Sequence, residues 1–141
     1  MVRCVYRLVL PLLIASTWAC GDSDATPELS NLSVEIIIAA SGTPVEKATR
    51  GESTKLTGTI DFVDADGDLK TLLISFLTPN GIEQVVDTPI AGVEGLDKGS
   101  ITVGPTFTPL IVGPHEFEFW VTDKADNESN HLSITVQVQD P

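Results

Sequence analysis

The chain of 141 residues carries 20 acidic and 8 basic side chains, a formal net charge of −12. Arg3 and Arg7 precede Ala19 and every carboxylate follows it, so the remainder sets 20 acidic against 6 basic residues, a net charge of −14. Such a surface excludes nucleic acid as a partner, because phosphate binding depends on Lys and Arg neutralising the backbone. The length fits one domain with a core of its own.

Met1 to Ala19 has the parts of an export signal: Arg3 and Arg7, the apolar run Leu8 to Ala15, then small residues before a cut. Thr17-Trp18-Ala19-Cys20 resembles a bacterial lipobox, with Thr17 and Trp18 standing where that motif favours Leu and Ser or Ala. The resemblance implies that 1–19 is removed, that Cys20 is acylated and anchors the protein to a membrane, and that Gly21, in place of Asp, permits passage to the outer membrane in preference to the inner. Ordinary cleavage after Ala19 is the competing outcome. It would leave Cys20 an unpaired exported thiol, since Cys4 departs with the signal. Residues 20–29 then read as a polar, flexible tether.

From residue 30 to 141 the pattern is all-β, with no stretch of helical length showing a 3.6-residue apolar period. Leu32 to Ile38 opens with apolar residues at alternate positions, and Val45 to Thr49 fits a short edge strand after the break at Gly42-Thr43-Pro44. Leu56, Gly58, Ile60 and Phe62 share one face of the next strand. An acidic loop follows, Asp64-Ala65-Asp66-Gly67-Asp68, before Leu72, Ile74 and Phe76 resume the alternation. Thr78-Pro79-Asn80-Gly81 is a turn, Ile82 to Val86 a return strand, Thr88 to Lys98 a long loop, and Ser100 to Val103 another strand. The final pair is the clearest: Phe117, Phe119 and Val121 alternate with Glu116, Glu118 and Trp120, and Leu132, Ile134, Val136 and Val138 with polar residues. The expected core centres on Ile60, Phe62, Leu72, Ile74, Phe117, Phe119, Ile134 and Val136.

About seven short strands with turns every 8 to 12 residues predict an immunoglobulin-like antiparallel β-sandwich. The strand ending Asp64-Ala65-Asp66-Gly67-Asp68-Leu69, together with Gly113, His115, Phe117, Phe119, Val121 and Asp123, is similar to the immunoglobulin-like modules of bacterial surface proteins, a group that includes PKD and cadherin-like repeats. His115 stands where such modules place a Tyr that bonds back to the preceding corner. The resemblance marks fold and not activity.

No nucleophile elbow, zinc motif or phosphate loop is present, and His115 and His131 have no nucleophile partner legible in the sequence, so the chain is expected not to be an enzyme. Glu116 and Glu118 fall on the solvent face. Two features stay open. Trp120 points away from the core residues on its strand, either exposed as a platform for a glycan or protein partner or covered by a neighbouring segment. Asp64, Asp66 and Asp68 lie in one loop and Asp123, Asp126 and Asn127 in another at the same end of a sandwich; six such oxygen donors suit calcium, while the same residues also serve as turn formers. The expected function is a lipid-anchored binding or adhesion module of the cell envelope. The alternative is a structural or accessory lipoprotein, a spacer or assembly subunit, which a covered Trp120 would favour.

Overall fold

The computed structural model describes residues 25–141. The export-signal segment 1–19, Cys20 and the first part of the 20–29 tether lie outside the described residues. Two sheets face each other. One is built from β1 (Glu28–Ile38), β2 (Pro44–Val45), β4 (Thr54–Val63), β7 (Lys98–Val103) and β8 (Thr106–Phe107), in the order β2-β1-β4-β7 with β8 paired to β4. The other takes β3 (Ala48–Thr49), β5 (Leu69–Leu77), β6 (Glu83–Pro89), β9 (Gly113–Asp123) and β10 (Leu132–Gln139), in the order β3-β10-β9-β5-β6. The chain passes between the sheets five times, at β2–β3, β3–β4, β4–β5 through the acidic loop, β6–β7 and β8–β9. This order is that of an immunoglobulin-like sandwich.

Strict alternation decides which side chains meet between the sheets. Leu56, Ile60 and Phe62 of β4 and Ile101 and Val103 of β7 face Leu72 and Ile74 of β5, Phe117, Phe119 and Val121 of β9, and Val136 and Val138 of β10, all of them buried. Ile134 is only partly buried and packs against this cluster. Phe76, Phe107 and Phe117 close one end with ring centroids 4.9–5.6 Å apart, within the range of favourable aromatic pairs.

Three boundaries differ from the sequence pattern. β1 begins at Glu28, two residues before the expected domain start, because Leu29 is buried in the core. Its N–H donates to Asn130 Oδ1 at 2.7 Å, and its carbonyl accepts from Asn130 Nδ2 at 3.0 Å. The single edge strand expected over Val45 to Thr49 is two: β2 pairs with β1, and β3 pairs in parallel with β10 after the chain changes sheets. Buried Ala48 pins that switch. The expected loop over Thr88 to Lys98 begins only after Pro89, and Val93 plugs the end of the sandwich. Gly58 is fixed by the bulge in β1 between Ser30 and Ser33: a Cβ there would lie 1.9 Å from the Ser33 carbonyl oxygen.

Candidate metal centre and the Trp120 face

The two acidic loops do meet at one end of the sandwich, where the Lys124 N–H donates to the Asp68 carbonyl at 3.2 Å and Lys70 Nζ pairs with Asp126 at 2.7 Å. The chain also enters β1 at this end, since Glu28 lies across from Val63, the last residue of β4. The β4–β5 loop is a tight turn in which the Gly67 N–H donates to the Asp64 carbonyl at 3.0 Å. Gly67 adopts φ +67°, and a Cβ at this position would come within 2.8 Å of the Gly95 carbonyl carbon.

Within this turn Asp64, Asp66 and Asp68 each bring one carboxylate oxygen within 4.8 Å of the others. Asp64 is 1 % exposed. Its Oδ2 accepts the Asp68 N–H at 2.9 Å, and its Oδ1 is buried with no hydrogen-bond donor among the described residues. Burial first, then the Asp66 carboxyl and the charge of Asp68, push the Asp64 carboxyl from 3.8 up to about 6 against the opposing pull of the Asp68 N–H. Asp66 moves the other way. The Ala25 N–H, donating to Oδ2 at 3.1 Å, and the Asp64 carboxyl hold it below the ordinary value. Two oxygens bound to one calcium at about 2.3–2.6 Å stand at most roughly 5 Å apart, so the three carboxylates are within reach of a single ion. A buried anionic oxygen without a donor is costly unless protonated or bound to a cation.

Asp123, Asp126 and Asn127 do not join this cluster. Asp123 Oδ1 accepts the N–H groups of Ala125 at 2.9 Å and Asn127 at 2.8 Å, and its Oδ2 accepts Asn127 Nδ2 at 2.8 Å. That is the work of a turn former. Asp126, at φ +65°, reaches Lys70 instead. The six-residue set divides into a three-carboxylate cluster and a self-satisfied turn because two backbone amides of the second loop and the Asn127 side-chain amide take up the oxygens of Asp123.

Trp120 is 9 % exposed. The His131 ring lies on the indole at a centroid distance of 4.6 Å and 11° between planes, Leu73 of β5 stands directly across from Trp120, and His131 Nδ1 sits 3.3 Å from Glu118 Oε1. Of the two arrangements the sequence left open for Trp120, the structure has the covered one. His115 is buried, stacked on Phe76 at 5.3 Å, with Nδ1 3.2 Å from the Gly113 carbonyl. A carbonyl only accepts, so Nδ1 carries the proton and ties the strand back to its corner. Glu116 and Glu118 stand on the outer face of β9, where with Ser75, Leu77 and Glu83 they line a shallow depression of about 230 Å³.

The sandwich class rests on this strand order and register. No protein-family model and no curated protein matches the chain. Among solved structures, an immunoglobulin-like protein from Pseudomonas aeruginosa is similar at 14% sequence identity and a TM-score of 0.41, over 83% of this chain and 99% of that one.

Proposed function

We propose that the chain is an exported, lipid-anchored accessory module of the bacterial envelope, a spacer or assembly subunit built on one immunoglobulin-like sandwich and without catalytic activity. The observation that carries this reading is the covered Trp120. With His131 stacked on the indole, the adhesion reading loses the one tryptophan among the described residues as an exposed glycan platform. Cys20, set behind an export-signal pattern, supports the anchor, and the entry of the chain at the acidic end supports a sandwich held with that end toward the membrane. Calcium is the ion that Asp64, Asp66 and Asp68 would hold: hard carboxylate oxygens suit it, and it would supply the positive charge that the buried Asp64 Oδ1 lacks. Gentle detergent extraction of envelopes followed by size-exclusion chromatography tests the accessory reading. Elution in an assembly well above one processed chain in its detergent micelle is expected, and a monomer that binds glycans on an array would replace it with adhesion.

A further inference from the structure

β6 is the outermost strand of its sheet and β7 lies at the edge of the other; among the described residues β6 pairs only with β5, and β7 only with β4. No strand of the first sheet covers β6. Gln84, Val86 and Thr88 stand across from Phe76, Ile74 and Leu72 and share their inward face. They line an open crevice of about 360 Å³, with Leu72, Ile74, Phe76 and Phe117 as its floor and Phe107 on the facing wall. Val86 is 58% exposed on this side, and Val85, on the outer face, is 52% exposed. Native edge strands are usually short, bulged, covered or guarded by Lys. β6 is seven residues long with every residue exposed, and its one proline is the last of them.

The geometry points to β6 as a docking edge for an extended segment of a partner protein, reading basic, apolar, apolar, apolar, basic. This rests on the assembly-subunit reading and names the kind of partner. A strand added to β6 gains main-chain hydrogen bonds from the open edge and places alternate side chains over the crevice. Those facing inward, beside Gln84, Val86 and Thr88, meet apolar surface. Those facing outward meet Glu83, Val85 and Asp87. The Ser75 hydroxyl donates to Glu83 at 2.6 Å and holds that carboxylate over the outer face. Lys55, beside Gly104, does not line the crevice and is not on this edge. A second copy of the chain is a poor occupant: antiparallel self-pairing about Val85 sets Glu83 against Asp87 twice, and like charges directly opposite destabilise a strand pair. Lys or Arg at those two positions reverses the sign. Since the required pattern reads the same in both directions, it holds for parallel and antiparallel docking.

The test titrates the isotope-labelled full chain, purified as its host processes it, with two peptides, Lys-Val-Val-Val-Lys and Glu-Val-Val-Val-Glu between neutral flanks, while amide resonances are followed. Shifts centred on Glu83 to Thr88 are expected, with the Lys peptide about tenfold tighter, since two cross-strand charge pairs change sign between the peptides. The double variant Glu83→Lys, Asp87→Lys should reverse the preference, and unchanged resonances elsewhere would show that it folds. Shifts away from β6, no binding, equal affinities, saturation by an apolar small molecule alone, or a concentration-dependent dimer through β6 would each overturn the proposal. Apart from the dimer, none of these outcomes bears on whether the protein runs in an assembly, and none at all on whether Cys20 is acylated, so failure here is separable from failure of the accessory reading.

Discussion

Replacing Asp64 by Asn distinguishes a cation site from a turn. An Asn side chain keeps an oxygen for the Asp68 N–H, which now bonds Asp64 Oδ2 at 2.9 Å, and removes the buried charge. The Asp64 carboxyl is raised from 3.8 to about 6, and at roughly 1.4 kcal/mol per pH unit this is a strain of at most about 3 kcal/mol on the ionised form. The Asp64 and Asp66 carboxyls titrate as a pair, so relief below that bound, on the order of 1–2 kcal/mol, is expected at pH 7.5 in chelator. For a domain of this size that raises the melting midpoint by roughly 3–10 °C. Calcium should act the other way round on the two proteins. At a hundred times its dissociation constant it adds about 2.7 kcal/mol to the wild type, about 10 °C, and nothing to Asp64→Asn. Differential scanning calorimetry at fixed ionic strength reads both effects. A variant destabilised in chelator, or one that keeps the wild-type calcium response, would refute the reasoning.

The same carboxyl sets a pH dependence. A folded value above the unfolded one means that the stability contributed by Asp64 is full below about pH 4 and is lost as pH rises through about 6, so the calcium-free protein should weaken over that window, and the calcium-induced midpoint shift should be smaller at pH 5 than at pH 7.5. Asp126→Ala should retain the calcium response, because Asp126 is engaged by Lys70 outside the cluster; a lost response by calorimetry would place the ion in the second loop. In denaturant melts Phe119→Ala should cost about 3–5 kcal/mol and Glu118→Ala no more than about 0.5, and equal costs would mean that the β9 register is wrong. His131→Ala should expose the indole and red-shift Trp120 fluorescence, whereas an unchanged spectrum would contradict the stacked cover.

Where neighbours in sequence settle a contact, the chain was legible. The alternation of Phe117, Phe119 and Val121, and of Ile60 with Phe62, marks the buried face without any knowledge of the partner sheet, because a strand has only two faces. Asp64, Asp66 and Asp68 cluster for the same reason, lying two positions apart in one turn. What escaped depends on partners far along the chain or on the backbone. Leu29 is clasped by Asn130, 101 positions away, and no local pattern announces that pair. Asp123 and Asp64 are similar in composition and surroundings, yet the amides of Ala125 and Asn127 satisfy one and leave the other with a bare oxygen. The cover over Trp120 comes from His131 in a connection that carries no periodicity, and the open edge at β6 appears only once the strand order is known.

Acylation of Cys20 is what would make this sandwich an envelope lipoprotein, and metabolic labelling with a fatty-acid probe tests it directly. Label on the wild type in the membrane fraction, with Cys20→Ser unlabelled and released from that fraction, is the predicted result; equal amounts of soluble protein from both, with no label in either, would contradict it.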